Sequence, residues 1–237
     1  MSPPGGVETA MVLAAGLGTR MRPLTNDRPK ALVEAGGRAL IDHVLDRLVE
    51  AGVSRAVVNA HAFADRLEAH LAGRTDLEIL ISNEREALLE TGGGLKHARS
   101  LLGDKPILVA NIDTLWSGGG LIEELIETFD PARMDDLLLV VPLTRSLGFD
   151  GPGDFFIDGE GRLDHRAERP SAPLAYMGVH MLDPALIDAW PNERHGIFQH
   201  WMTYAAAGRL HGVVADGLWM HVGDPAALTA AEQRLAA

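Results

Sequence analysis

Two hydrophobic rhythms take turns along this chain. Met11 to Ala15 is a short unbroken apolar run, the mark of a buried strand, and Leu40, Ile41, Val44, Leu45, Leu48 and Val49 then recur at helical spacing until Gly52 stops them. Arg55 to Ala60 predicts a second strand, Ala62 to Leu71 a helix, Leu77 to Ser82 a strand, Gly94 to Leu102 a helix, and Pro106 to Ala110 a strand that empties into Asn111-Ile112-Asp113. Leu121 to Phe129 and Leu137 to Val141 repeat the pair. This alternation predicts an α/β fold of the doubly wound, Rossmann-like kind, a mostly parallel sheet with helices on both faces and ligands at the carboxyl ends of the strands. Gly16 to Arg20 and Asn111 to Asp113 both fall at such ends.

Past Pro142 the pattern changes. Phe155-Phe156-Ile157 and Arg162-Leu163-Asp164 flank Asp158-Gly159-Glu160-Gly161, which predicts a hairpin, a small β insert expected to lie over the site as a lid. Leu174 to Leu182 returns as a strand, Pro184 to Trp190 and Ile197 to Ala207 as helices, Leu210 to Ala215 as a strand, and a last helix starts at Pro225. No internal repeat, linker or low-complexity tract interrupts the chain, so a single domain over residues 1–237 is expected.

Composition narrows the chemistry. With 237 residues, 46% of them apolar, the chain can bury an ordinary core. A net charge of -12 without a basic stripe opposes nucleic acid as a partner. The absence of cysteine excludes disulfides, thiolate metal sites and cysteine nucleophiles. No apolar run approaches the roughly 18 residues of a membrane span and the N-terminus does not read as a signal peptide, so no membrane is expected and the cytoplasm is the expected location. Oligomeric state is not legible.

Against that acidic background one loop is cationic. The run from Leu13 through Ala14, Ala15, Gly16, Leu17, Gly18, Thr19, Arg20, Met21, Arg22 and Pro23 to Thr25, followed by Pro29-Lys30, puts two glycines, two hydroxyls, two arginines and a lysine directly after a buried strand. Glycine lets backbone N–H groups approach an anion, and arginine can bind phosphate oxygens bidentately. The expected ligand is a small polyanion. A Walker A loop fails because no Gly-Lys-Ser/Thr follows at the required gap. A dinucleotide fingerprint fails because Met21 stands where its third glycine belongs and Asn59 where its acidic residue belongs.

This loop, with Ala31-Leu32 after Lys30, resembles the signature of the sugar-1-phosphate nucleotidylyltransferases. The resemblance continues through Glu90-Thr91-Gly92-Gly93-Gly94, Asn111-Ile112-Asp113, Gly153-Asp154-Phe155, Tyr176-Met177-Gly178 and Trp219-Met220-His221-Val222-Gly223-Asp224-Pro225, in the family's order. It implies transfer of a nucleotidyl group from a nucleoside triphosphate to a sugar 1-phosphate with release of pyrophosphate. Within the family the similarity is greatest to enzymes of uridylyl transfer to N-acetylmuramic acid 1-phosphate, with guanylyl transfer to mannose 1-phosphate as the alternative. From another class, a protein that binds nucleotide sugars without catalysis is the alternative, and a nicotinamide dehydrogenase is a remote third.

The resemblance also implies roles. Residues 9–142 would form the nucleotide-binding part and 143–237 the sugar-binding insert and closing elements. Leu13, Ala14, Ala15, Gly16 and Gly18, with Thr19 and Arg20, would hold base and triphosphate, Arg20 taking the β and γ phosphates and Lys30 neutralising the reacting ones. Thr91, Gly92 and Gly93 would offer donors from a second glycine loop at a helix start. Asn59 is a nucleotide contact or a structural asparagine, and Arg22 reads as a surface charge.

Asn111, Gly153, Asp154, Glu168, Tyr176 and Gly178 lie where the family binds the hexose. Asp113 is the expected Mg2+ ligand, because Mg2+ favours one or two carboxylates together with substrate phosphates. The family's second metal aspartate is replaced here by His221, and Asp224 stands at the family's threonine. His221 and Asp224 are therefore the candidates for a second ligand, and an imidazole would favour Mn2+ over Mg2+.

Overall fold

In β1, Thr9–Leu13, successive side chains enter opposite sides of one sheet. Ala10 and Val12 join one buried cluster, and Met11 joins another. The same division runs through β4, Arg55–Ala60, where Ala56 and Val58 face the first cluster and Val57 the second, and through β6, Ile107–Asn111, where Leu108 and Ala110 oppose Ile107 and Val109. The computed structural model describes residues 6–236.

The remaining elements, in chain order, are β2 (Glu34–Ala35), β3 (Arg38–Ala39), α1 (Leu40–Glu50), α2 (Ala64–Leu71), β5 (Glu78–Asn83), α3 (Glu90–Ala98), β7 (Thr114–Trp116), α4 (Leu121–Thr128), β8 (Asp136–Pro142), β9 (Ser146–Leu147), β10 (Phe155–Ile157), β11 (Leu163–His165), β12 (Leu174–Leu182), α5 (Phe198–Ala206), β13 (Leu210–Val214), β14 (Trp219–His221) and α6 (Pro225–Leu235). α1, α2 and α4 cover the first face of the sheet, and α3 and α5 the second. α1 presents Ile41, Val44, Leu45 and Leu48 and is closed by Gly52, whose φ of 88° lets Val53 N–H return to the Leu48 carbonyl.

The nine-stranded sheet runs β11-β10-β12-β6-β1-β4-β5, with β8 beside β12 and β13 beside β8. β6, β1, β4 and β5 are parallel, and the strand order reverses between β1 and β6. The carboxyl ends of these two strands therefore open a crevice at a topological switch point. β12 runs antiparallel to β6 and carries a bulge between Tyr176 and His180. In the core, the fully buried Asp136 carboxylate accepts from His180 Nδ1 and from Trp201 Nε1, each at 2.8 Å, so α5 is tied to the sheet and His180 is a satisfied core residue.

Three expectations need correction. The hairpin β10–β11 is not a lid. It pairs with β12 and extends the central sheet at its edge, because Phe155 and Leu163 point into the second core. β1 ends two residues early, at Leu13, because Ala14 and Ala15 give their N–H groups to a side chain rather than to a neighbouring strand. The helix expected to begin at Gly94 begins at Glu90, with all three glycines inside its first two turns. β7 and β14, which the sequence did not signal, form a small sheet with β9. Residues 1–5, where the signal-peptide expectation begins, lie outside the described residues. No described helix is long and apolar enough to cross a membrane.

Candidate active site

At the switch point lies a cavity of about 400 Å³, adjoined by a second of about 310 Å³ that shares Gly16, Lys30, Leu88 and Asp113 with it as lining. The first is walled by Leu13, Ala14 and Ala15 from the end of β1, Asn59 and Glu84 from the ends of β4 and β5, Glu90 and Thr91 from the start of α3, and Asn111 at the end of β6. The second is walled by Gly16, Leu17, Gly18, Thr19 and Arg20, with Gly223 opposite. Despite these polar residues the surface of the first lobe is mostly apolar, whereas the second is glycine-rich and cationic.

The loop after β1 has a defined shape. Gly18 has φ 60°, and a Cβ there would stand 2.9 Å from Lys30 Cβ and 3.0 Å from Thr25 Cγ2, so only glycine allows the lysine to pass. Thr25 Oγ1 closes the loop by donating to the Gly18 carbonyl at 2.8 Å. Arg20 is exposed beside the cationic lobe, whereas Arg22, also exposed, does not line it.

Lys30 is buried and its Nζ stands 2.8 Å from Asp113 Oδ2. His221 Nε2 is 3.6 Å from the same oxygen, and Val222 N–H donates to the Asp113 carbonyl, so the exit of β14 is held to this corner. Burial would raise the Asp113 carboxyl, but His221 and Lys30 outweigh it and hold the group well below the usual carboxylate range. Asp113 is therefore an anion fixed between two nitrogen groups.

On the other wall, Asn59 Oδ1 accepts from Ala14 N–H at 2.6 Å and from Ala15 N–H at 3.1 Å, while its Nδ2 donates to Glu84 Oε1 at 2.8 Å. Glu84 Oε2 accepts from Leu89 N–H at 3.4 Å.

Residues 9–237 match the family model described as nucleotidyl transferase. The chain belongs to the nucleotidyl transferase family. This nucleotidyl transferase is 53% identical over 233 residues to the N-acetylmuramate alpha-1-phosphate uridylyltransferase of Caulobacter vibrioides, with 96% of each chain covered. It is 31% identical over 227 residues to the mannose-1-phosphate guanyltransferase of Neurospora crassa, covering 91% of this chain and 61% of that one. Among solved structures it superposes on a UDP-glucose pyrophosphorylase complexed with UDP-glucose, with a TM-score of 0.78, 16% identity and coverage of 97% and 98%. The inositol-1-phosphate CTP transferase from T. maritima gives a TM-score of 0.77 at 16% identity, with coverage of 93% and 91%. The fold is that of these transferases.

The nucleotidyl transferase brings most of its sequence-predicted site residues together. Leu13, Ala14, Ala15, Gly16, Gly18, Thr19, Arg20, Lys30, Asn59, Thr91, Asn111 and Asp113 all line the two lobes. Gly92 and Gly93 do not. A Cβ at Gly92 would strike the His195 ring at 2.5 Å, and Gly93 N–H already donates to the His195 carbonyl, so these glycines serve helix packing rather than a ligand.

The hexose candidates divide as well. Asp154 Oδ2 accepts from Tyr176 N–H at 2.9 Å, and Gly153, at φ 83°, lies against the Ala172 carbonyl, so both brace the start of β12. Glu168 is exposed in the turn after β11 and away from both lobes. Gly178, at φ 88°, sits against Thr114 and Asn111, where a Cβ would be crowded at 3.2 and 3.3 Å, and Tyr176 packs edge-on to Trp201 at 4.8 Å. Burial, with Asp136 and Asp113 nearby, pushes the Tyr176 hydroxyl well above its ordinary value and keeps it a neutral donor.

Asp224 is turned to another task. Its Oδ1 accepts from Ala227 N–H at 2.9 Å as the N-cap of α6, with Pro225 in the first turn. Sequence reasoning missed Glu84, a carboxylate only 2% exposed at the mouth of β5. Its position just after a parallel strand was the available signal.

Proposed function

We propose that the chain transfers a uridylyl group from UTP to N-acetylmuramic acid 1-phosphate and releases pyrophosphate. The observation that carries this reading is the 53% identity, over 96% of both chains, to a relative of that name. In the step proposed, a sugar-phosphate oxygen attacks the α-phosphorus of UTP, the new P–O bond forms, and the bond to the bridging oxygen of pyrophosphate breaks. The nucleophile arrives as an anion, so no general base is required. The protein's task is to align two mutually repelling anions and to neutralise charge as it shifts to the leaving group.

The residues have parts suited to this. Leu13 to Ala15, Asn59 and Thr91 bound the apolar lobe that would take the base, and Gly16 to Arg20 the lobe that would take the triphosphate. Arg20 and Lys30 would bear on the phosphates. Asn111 would face the sugar, whereas Tyr176 and Gly178, which line neither lobe, pack behind it. Among the described residues no group of three or more histidines or carboxylates could hold a metal by itself. The donor set nonetheless fits Mg2+, which readily takes one carboxylate, here Asp113, and fills its shell with phosphate oxygens and water. When bound, such an ion would neutralise phosphate charge at the reacting centre. His221 beside Asp113 is a nitrogen donor and extends the fit to Mn2+. The proposed setting is the cytoplasm, where nucleoside triphosphates are available.

Guanylyl transfer to mannose 1-phosphate is the second reading, favoured by the 31% identity to the guanyltransferase of Neurospora crassa. Pyrophosphate release across UTP, GTP, CTP, dTTP and ATP, each with N-acetylmuramic acid 1-phosphate and mannose 1-phosphate in Mg2+ and in Mn2+, separates the two. Turnover confined to UTP with N-acetylmuramic acid 1-phosphate is the expected result. Turnover confined to GTP with mannose 1-phosphate would establish the second reading, and nucleotide binding without turnover would make the protein a binder.

A further inference from the structure

The backbone ladder between β1 and β4 ends at the pair Val12–Val58, and one residue later the Asn59 side chain takes over, accepting from the N–H groups of Ala14 and Ala15. Two backbone donors can meet only the oxygen of that amide, so its nitrogen must face the other way. There it finds Glu84 Oε1 at 2.8 Å, and the second oxygen of the same carboxylate accepts from Leu89 N–H, in the segment that enters α3. Glu84 and Asn59 are 2% and 3% exposed. Space for them is made by Gly94, where a Cβ would stand 2.8 Å from Glu84 Oε1 and 3.1 Å from Asn59 Nδ2.

We infer that Glu84 is a positioning residue for the nucleotide. Through Asn59 it sets the backbone of Ala14 and Ala15 on one wall of the apolar lobe, and through Leu89 it sets the start of α3 on the other. Both tasks need an acceptor, and a carboxylate is the side chain that offers two acceptors and no competing donor. A glutamine in its place must turn its NH2 group toward either Asn59 Nδ2 or Leu89 N–H, and one pairing becomes donor against donor. This role rests on the lobe receiving a nucleoside triphosphate.

The test is an exchange of functional groups. In the double variant Asn59→Asp with Glu84→Gln, the new amide at position 84 accepts from Leu89 N–H through its oxygen and donates through its nitrogen to one oxygen of the new carboxylate at position 59. The other oxygen of that carboxylate accepts from Ala14 and Ala15. Every hydrogen bond is restored at unchanged net charge. UTP affinity is measured by calorimetry, and KM for each substrate and kcat by pyrophosphate release, for wild type, both single variants and the double variant. The expected result is a rise of about tenfold or more in the UTP Kd and KM for each single variant, a smaller change in kcat and in the sugar 1-phosphate KM, and recovery to within about threefold of wild type in the double. Single variants with wild-type UTP affinity would overturn the inference, as would a double variant no better than the weaker single. If a single variant does not fold, the double decides: folded with near wild-type affinity supports the role, while folded without it, or unfolded, overturns it. If wild type binds GTP and not UTP, the uridylyl reading fails separately and the same exchange is read with GTP.

Discussion

Lys30 Nζ lies 2.8 Å from Oδ2 of Asp113, and His221 Nε2 lies 3.6 Å from the same oxygen. This carboxylate shares its surroundings with two nitrogen groups before any substrate arrives. Lys30→Met keeps the stem length and removes the charge beside Asp113, where the proposed reaction would bring two phosphates together. Its kcat/KM is expected to fall by roughly 10²–10³-fold, the range for loss of one preorganised electrostatic contact. Steady-state pyrophosphate release checks this, and a value within threefold of wild type would remove Lys30 from the chemistry.

The two glycines of the first loop separate packing from binding. At Gly16 a Cβ meets nothing within 4 Å, whereas at Gly18 it meets Lys30 Cβ at 2.9 Å on a left-handed backbone. Gly18→Ala is expected to lose about 1–2 kcal/mol of stability from the backbone alone, and activity with it. Gly16→Ala should melt like wild type yet bind nucleotide more weakly, because its methyl occupies the wall of both lobes. Thermal melts paired with nucleotide titration distinguish the variants, and a destabilised Gly16→Ala would contradict the geometry.

His221→Asp places a second carboxylate beside Asp113. If a metal sits there, the Mg2+ concentration for half-maximal rate should drop by about tenfold or more, and any advantage of Mn2+ should shrink. Rates are compared across both ions. An unchanged Mg2+ profile would place the metal away from residue 221.

His200 stacks on Trp190 with ring centroids 4.0 Å apart, and its Nε2 is buried without a hydrogen-bond partner among the described residues. Burial, with His195 adding, pushes its pKa down to about 4. In the unfolded chain it titrates near 6.5. Between these values the unfolded state binds a proton that the folded state does not, so stability falls as pH drops from about 6.5 to about 4. His200→Phe keeps the stack and removes the proton site. Its Tm should decline less than that of wild type over that interval, and parallel declines would refute the assignment.

The parts of this molecule that were legible in the sequence are those written over short spans. The strand–helix alternation gave the sheet, and the loop with Lys30 and Asp113 gave the cationic lobe, because hydrophobic period and residue type carry them directly. What stayed hidden depends on distant partners. Three adjacent glycines in α3 read as a loop, since nothing local reveals that His195, Leu89 and Glu84 press against them. Asp154 read as a sugar ligand, since its partner Tyr176 N–H comes from a strand 22 residues away. Asp224 read as a metal candidate, although Pro225 directly after it is also the signature of a helix cap. The hairpin was correctly placed in sequence but misplaced in space, because alternation within a strand does not say which sheet edge it joins.

Where β1 leaves the sheet, its course through Ala14 and Ala15 is set from outside the segment, by Asn59, Glu84 and Gly94. A segment built this way is not portable. Leu13 to Thr25 grafted onto another α/β scaffold would bring Gly16 to Arg20 but not the path by which Ala14 and Ala15 lead into them, unless those three positions travelled with it.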